Sequence, residues 1–332
     1  MRTRRIKVTD ASAVYHCISR IVGAEFLLEG EREKEVLRNQ IWKVADFCGV
    51  EILTYCIMSN HVHLLIRVPP PSSLARIPNS ELSRRVKRIY APEKAAAFAE
   101  GLSSSEADER ERFRSQLVTR MGDLSQFMKE LKQRFSIWYN RNHGRLGTLW
   151  AERFKSVLIE DESMALSTVA AYIDLNPVRA GLVSDPADYR YCGYAEAMGG
   201  HSLARRGIAS LFGHRGAWAS NVSIYRIVLF GKGQSSPASG QGASVSPGKV
   251  AQVMSEGGKV SREEALRCRI RYFSDGAVLG SKEFVQKCLE STMPPANRQR
   301  ARAGPRELKG SDWSGLNCLR GLRSQVFGSA PQ

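Results

Sequence analysis

The sequence predicts an α+β fold, on the basis of a strand, a helix and a hairpin near its start. Residues 13–20 (AVYHCISR) form a strand-like run of β-branched and aromatic residues. Residues 32–47 place apolar side chains at helical spacing. Two apolar runs, 51–58 and 61–68, then stand only two residues apart, which indicates a hairpin. Prolines 69–71 are expected to end its second strand.

The middle of the chain is predicted to be mainly helical. Residues 81–140 are rich in charged helix formers, and they close with a helix in which Phe127, Leu131, Phe135 and Trp138 share one face. Residues 147–160 alternate well enough to be a strand, and residues 163–183 have helical periodicity. Pro177 is expected to kink or end that helix.

A change in composition divides the chain after residue 230. Residues 231–249 are mostly glycine, serine and proline with few apolar side chains, which predicts a flexible linker. The region 250–332 is basic and opens with a possible capping box of Ser261 and Glu264. We therefore expect a first domain at 1–230 and a helical accessory region at 250–332. A fragment ending near Gly231 is expected to fold alone.

The charge balance indicates a polyanionic partner. The chain has 49 Lys and Arg against 33 Asp and Glu, a formal net charge of +16 and a pI near 9.8. Nucleic acid is the commonest such partner, and the alternatives are acidic lipid or no partner at all. Neither a run of about 18 apolar residues nor a signal core is present, so a cytoplasmic, nucleoid-associated protein is expected. Seven scattered cysteines without a CxxC pair argue against a disulfide framework and a structural zinc site.

Two histidines on the second hairpin strand are candidate metal ligands. His61 and His63 flank Val62, and residues two apart on a strand point to the same face. Imidazole binds several divalent ions, and a pair without a nearby thiolate or carboxylate fits an open, hydrated site. The alternative is two hydrogen-bonded histidines with no metal.

Tyr172 and Asn176 are candidates for a nucleophile and a third ligand. They lie four residues apart on a predicted helix, which places both side chains on one face. A phenolate can attack a phosphodiester when a metal polarises the phosphate. The alternative is that Tyr172 is a core aromatic residue and that Asn176 belongs to a helix end before Pro177.

These motifs together resemble those of the HUH single-tyrosine transposases, and more narrowly the REP-associated tyrosine transposases. The resemblance is carried by SNHVHLLI at 59–66 and AAYIDLNPVRAGLV at 170–183. YHCISR at 15–20, NRNHGRLGTLWAERFKS at 140–156 and DYRYCGY at 188–194 agree with it in the same order. The similarity extends over about residues 10–200, and several motifs in order are more specific than any one of them.

The resemblance implies a ferredoxin-like antiparallel sheet with packed helices, the HUH nuclease fold. It implies that His61, His63 and Asn176 hold Mg²⁺ or Mn²⁺ and that Tyr172 attacks single-stranded DNA with hairpins. The product would be a 5′-phosphotyrosine and a free 3′-OH. Among other tyrosines, Tyr139 is the chief competitor, but no Asn-Pro pair follows it.

Basic side chains outside these motifs are weaker candidates for DNA binding. One patch lies in the predicted helical insertion at about 72–140 and comprises Arg84, Arg85, Lys87 and Arg88. A second pair, Arg153 and Lys155, lies two residues apart on the predicted strand at 147–160. The alternative for each set is a solvated surface. The sequence leaves the oligomeric state, monomer or homodimer, open.

Two other functions remain possible from the sequence. One is a domesticated nucleic-acid-binding protein that has lost turnover, against which the complete set of His61, His63, Tyr172 and Asn176 argues. The other is a metal-dependent hydrolase, which needs a general base near the metal; Asp174 or Glu152 would have to approach it in space.

Overall fold

Four antiparallel strands form the centre of the protein, which the computed structural model describes over residues 6–214, 216–231, 261–292 and 304–319. The strands are β1 (Ala13–Arg20), β2 (Glu51–Ile57), β3 (His61–Val68) and β4 (Lys155–Ile159). Their order is β2-β3-β1-β4, with every neighbouring pair antiparallel. This is the strand order of a ferredoxin-like sheet, so the predicted α+β class with packed helices is confirmed.

Helices cover both faces of this sheet. Helix α1 (Glu31–Cys48) packs on one face, where the Trp42 ring lies 6.1 Å from the Tyr55 ring. Helix α7 (Ser163–Asp174) packs on the other face, where Asp174 accepts a hydrogen bond from Thr54 at 2.8 Å. Thr54 and Tyr55 are consecutive in β2 and therefore point to opposite faces. The sheet is thus the middle layer of three.

A helical insertion connects β3 to β4, as the sequence predicted. Its five helices are α2 (Pro71–Leu74), α3 (Asn79–Ile89), α4 (Pro92–Leu102), α5 (Ala107–Val118) and α6 (Leu124–Asn142). Asp123 caps α6 by accepting from the Gln126 N–H. The insertion packs against α1 and belongs to the same layer as that helix.

Helices α8 to α12 come next along the chain. They are α8 (Asn176–Arg179), α9 (Gly193–Met198), α10 (Ser202–Ser210), α11 (Trp218–Phe230) and, after the linker, α12 (Arg262–Leu266). Helix α7 itself is shorter than predicted. The helix predicted over 163–183 breaks at Leu175, two residues before Pro177. The strand predicted over 147–160 is also shorter, since only 155–159 pair in β4.

The C-terminal region extends the central sheet. Its remaining elements are α13 (Arg271–Asp275), β5 (Val278–Gly280), α14 (Lys282–Thr292), β6 (Arg306–Glu307) and β7 (Asn317–Cys318). Strand β5 pairs in parallel with β4, and β7 and β6 follow it outward. The expected helices and the capping box of Ser261 and Glu264 are present, but the sequence did not indicate these three strands. Apart from Gly231, the predicted linker at 231–249 lies outside the described residues.

The contacts of this region change what we expect of a fragment ending near Gly231. Val278 and Leu279 are buried against β4, and Phe273 is buried between Tyr172 and Trp313. Removing them would expose the edge of β4 and part of the core. Independent folding of residues 1–230 is therefore no longer expected.

Neither a membrane helix nor a disulfide is found in the described ranges. Every helix there is too short or too polar to cross a bilayer. None of the seven cysteines forms a disulfide, in agreement with the sequence.

Replacing Phe273 with alanine tests whether the C-terminal region shares the core. Phe273 is fully buried, so Phe273→Ala should lower the free energy of unfolding of the full chain by about 3–5 kcal/mol. The control is Phe26→Ala, because Phe26 is 60% exposed and its loss should cost within about 0.5 kcal/mol. Urea unfolding of both variants measures this. Equal stability of the two variants would show that the region is only loosely attached.

Candidate active site

The strand register places three histidines on the sheet face that α7 covers. His63 in β3 pairs with Ile18 in β1, and His61 pairs with Arg20. His16 lies two residues before Ile18 and so points to the same face. The rings of His61 and His63 are 5.0 Å apart, and those of His16 and His63 are 5.1 Å apart. The predicted pair therefore belongs to a cluster of three histidines, of which His16 is the third member.

Tyr172 meets this cluster from α7. Its ring centroid is 6.3 Å from that of His16 and 6.3 Å from that of His63. The Phe273 ring, from the C-terminal region, packs against Tyr172 at 4.9 Å, and Tyr172 is only 3% exposed. The structure thus brings together the predicted nucleophile and the predicted metal ligands from distant parts of the chain.

Asn176 connects Tyr172 to the break in the helix. Pro177 has no N–H to offer the Ile173 carbonyl, which is its normal helical partner. The Asn176 side-chain amide supplies a donor instead, at 2.9 Å from the Ile173 oxygen and 3.4 Å from the Tyr172 oxygen. Both bonds use Nδ2, so Oδ1 remains the acceptor of this amide. This arrangement explains the Asn-Pro pair by helix chemistry whether or not Asn176 binds a metal.

Arg179 is a half-buried cation that sequence reasoning did not single out. Its guanidinium carbon lies 4.1 Å from the centroid of the Tyr172 ring, which is a cation–π contact. Arg179 also donates to the Tyr172 carbonyl at 2.6 Å and to the Leu266 carbonyl at 2.8 Å. Burial lowers the pKa of Arg179. The residue ties α8, the nucleophile candidate and the C-terminal region together.

Burial keeps the three histidines neutral at ordinary pH. Burial lowers the pKa of His16 to about 4, and it holds the pKa of His63 well below its usual value. The pKa of His61 falls to about 3, first through burial and then through the positive charges of Arg20, Arg179 and Arg269. A neutral imidazole has a nitrogen lone pair available, which is the state that binds a metal.

Two neutral imidazoles and one amide oxygen would leave several positions of a six-coordinate divalent ion for water or phosphate. Imidazole nitrogens bind several first-row divalent ions, so this set of atoms does not by itself select Mg²⁺ or Mn²⁺. Within the described ranges, no three His, Cys, Asp or Glu side chains are arranged to hold a metal together. A site built on His61 and His63 therefore needs a ligand of another type, such as Asn176.

The basic patch in the insertion is not part of this cluster. Arg84 and Arg88 bind Asp46 of α1, and Arg84 and Arg85 bind Glu81 within α3. These residues lie in the layer of α1, across the sheet from α7. The patch, including Lys87, consequently has no described contact with the histidines, and its predicted role in DNA binding stays a prediction.

The second predicted pair lies nearer the site but is not on one strand. Arg153 precedes β4 and is exposed, whereas Lys155 is the first residue of β4 and forms an ion pair with Asp275 at 3.2 Å. The charges that act on His61 come instead from Arg20, Arg179 and Arg269. Arg20 follows from the strand register, but no sequence signal indicated Arg269.

The carboxylates required by a hydrolase are not beside the histidines in the described contacts. Asp174 is buried and accepts hydrogen bonds from Thr54, Tyr225 and the Tyr194 N–H. Glu152 is exposed. The competing tyrosine, Tyr139, stacks on His143 with ring centroids 4.1 Å apart. It is thus part of a separate aromatic contact in α6.

Comparison with known proteins supports the transposase class. Residues 10–103 match the model of the family described as "Transposase IS200 like", which is less than a third of the chain. The match agrees with the resemblance drawn from the motifs, and the matched residues include both His61 and His63.

One solved structure and a search of curated proteins complete the comparison. The solved structure is described as "the REP associates tyrosine transposase bound to a REP hairpin". It is 18% identical, covers 61% of this chain and 90% of its own, and has a TM-score of 0.37. No match was found among curated proteins.

Asp174 should make the stability of the fold dependent on pH. Burial raises the pKa of Asp174 to about 7, against three hydrogen bonds that lower it. Between about pH 4 and pH 7 the folded protein then holds a proton that the unfolded chain has released. The contribution of Asp174 is therefore largest at low pH and is lost as pH rises through 7, with a slope of up to about 1.4 kcal/mol per pH unit.

Urea unfolding of the wild type and Asp174→Asn across pH 4.5–8 measures this contribution. Asparagine keeps the acceptor for Thr54 but does not ionise, so the stability of the variant relative to the wild type should rise with pH. Parallel curves for the two proteins would rule out the raised pKa.

Proposed function

We propose that this protein is a metal-dependent endonuclease and strand transferase, a transposase that acts on single-stranded DNA through a covalent 5′-phosphotyrosine. The observation that carries the proposal is the meeting of Tyr172 with His63, at 6.3 Å between ring centroids. His63 lies in the region that matches the IS200-like transposase family, and packing alone does not require a candidate metal ligand beside the tyrosine ring.

The proposed reaction exchanges one phosphodiester for another. The Tyr172 Oη forms a bond to the scissile phosphorus as its proton leaves to solvent, and the bond from phosphorus to the 3′ oxygen breaks. That oxygen takes up a proton and becomes a free 3′-OH, while the 5′ end stays on Tyr172. Attack of a 3′-OH on this phosphotyrosine reverses the steps and joins DNA, because the covalent intermediate conserves the bond energy.

His61, His63 and Asn176 are the residues that would hold the divalent ion. When bound, Mg²⁺ or Mn²⁺ supplies Lewis acidity at the phosphate. The residues themselves fix where the phosphate sits: β3 presents two neutral imidazoles, and the helix break presents the Asn176 amide beside Tyr172. Tyr172 is nearly buried, so DNA reaches it only after neighbouring side chains have moved.

The charge of the protein supports DNA as the substrate. A net charge of +16 favours any polyanion, and Arg20 and Arg269 lie close enough to His61 to lower its pKa. Hairpin-forming repeats are the substrate that the family resemblance implies. A catalytically silent DNA-binding protein is the alternative; it would bind the same DNA without forming an adduct.

Loss of the attacking oxygen should abolish the chemistry. We expect Tyr172→Phe to form no covalent adduct with a labelled hairpin oligonucleotide, while its affinity stays within about threefold of wild type, because charge and ring are kept. Denaturing gels measure the adduct, and fluorescence anisotropy measures binding. The matched control is Tyr139→Phe, which should behave as wild type. Adduct formation by Tyr172→Phe would place the nucleophile elsewhere.

Loss of the ligands should make cleavage insensitive to added metal. At about 1 mM Mn²⁺, His61→Ala and His63→Ala should each lower the cleavage rate by about 100-fold. This corresponds to a loss on the order of 3 kcal/mol of transition-state stabilisation. Asn176→Ala should be milder, since water can replace a neutral amide ligand. His214→Ala, an exposed histidine outside the cluster, is the control. Undiminished wild-type cleavage in EDTA would contradict the metal requirement.

A further inference from the structure

A chain of hydrogen bonds links the C-terminal region to the candidate metal ligand His63. The Phe273 carbonyl oxygen lies 2.7 Å from Nδ1 of His16, and Nε2 of His16 lies 2.8 Å from Nδ1 of His63. Both histidines are buried. His16 is thus placed between a backbone carbonyl and a ligand candidate, with both of its nitrogens in use.

The first bond fixes the tautomer of His16. A carbonyl oxygen only accepts hydrogen bonds, so Nδ1 of His16 must carry the proton and donate it to Phe273. Complete burial of the His16 side chain favours the neutral ring, because a charged ring would lose its hydration. In a neutral imidazole with Nδ1–H, the other nitrogen, Nε2, is an acceptor.

The second bond then fixes the tautomer of His63. Because Nε2 of His16 accepts, Nδ1 of His63 must donate to it. The remaining nitrogen of His63, Nε2, therefore holds the lone pair. A metal ion binds the nitrogen that has no proton, and the hydrogen bond at the other nitrogen decides which one that is.

His61 reaches the same state through a different partner. Asn60 donates through Nδ2 to the Ala24 carbonyl at 3.3 Å, which leaves its Oδ1 as an acceptor. That oxygen lies 2.7 Å from Nδ1 of His61, so His61 donates there and also holds its lone pair on Nε2. Two independent contacts thus give both histidines the same tautomer, which a purely structural pair would not require.

We propose that His16 is a positioning residue for the divalent cation. Its hydrogen bonds to the Phe273 carbonyl and to Nδ1 of His63 keep the proton of His63 on Nδ1, so that the Nε2 lone pair of His63 faces the ion. This proposal rests on the metal role in the proposed function. His16 itself is not a ligand in this arrangement, because neither of its nitrogens is available.

The inference makes residues beyond the linker part of the site. Phe273 supplies the carbonyl that begins the chain of hydrogen bonds to His63, and its ring packs against Tyr172. Helix α13, which carries Phe273, contacts both β1 and β4. The C-terminal region would consequently set the electronic state of a ligand that lies in the IS200-like part of the chain.

Binding of Mn²⁺ to the full chain without DNA tests the positioning role of His16 independently of activity. Electron paramagnetic resonance titration measures free Mn²⁺, and His16→Phe should weaken binding by about 10–100-fold, because the ring shape is kept but His63 loses its acceptor. His16→Gln should recover much of the affinity, since one amide both donates and accepts. The control is His201→Asn, which keeps the cap of α10 far from the cluster.

The outcomes separate this proposal from the function on which it rests. If neither wild type nor His61→Ala binds Mn²⁺, the metal requirement of the proposed function is contradicted. If wild type binds Mn²⁺ and His16→Phe binds it equally well, only the positioning role of His16 is contradicted.

A second measurement does not depend on whether a variant folds. Long-range ¹H–¹⁵N spectra of histidine-labelled wild-type protein report the tautomer of each ring. We expect both His16 and His63 to carry the proton on Nδ1. A His63 ring with its proton on Nε2 would refute the proposal even if every variant were unstable.

Discussion

The antiparallel register between β1 and β3 is the constraint on which the rest of the site depends. It sets Ile18 opposite His63 and thereby puts His16, two residues earlier, on the same face. Side chains alternate along a strand, so a slip of one residue would turn His16 to the other face and break its bond to His63. The buried residues of both strands resist such a slip, because helices cover both faces of the sheet and each side chain would have to repack against the opposite layer.

Helix α7 is held on this face by the hydrogen bonds of Asp174. Asp174 lies two residues after Tyr172 and accepts hydrogen bonds from β2, α9 and α11. These bonds fix the rotation of the helix about its axis, since Tyr172 and Asp174 point in different directions. Because the Asp174 carboxylate is bound to these three partners, Tyr172 is turned towards the histidines. A buried polar network of this kind specifies one arrangement when each of its members has a partner.

Local patterns were sufficient to predict the elements that carry the candidate site. β-Branched and aromatic residues located β1, two apolar runs two residues apart located the hairpin, and helical spacing located Tyr172 in α7, although Asn176 lies beyond the break, in α8. The three C-terminal strands could not be found this way, because two or three residues are too few to show a period of two, and their pairing with β4 is non-local. His16 could not be joined to the cluster from local patterns either, because its partner Phe273 offers a backbone carbonyl, which has no sequence signature.

The break at Leu175 limits which side chain can stand at position 176. An aspartate there would offer a charged oxygen to a cation, and by ligand strength alone it would be the better choice. It would also set a negative oxygen against the Ile173 carbonyl, where Asn176 now donates at 2.9 Å. An amide keeps this donor and still has an acceptor oxygen, so it fits the helix break where a carboxylate would not. If His61, His63 and Asn176 hold an ion as proposed, none of the three brings a negative charge to it, and the charge of the ion is left to act on the phosphate.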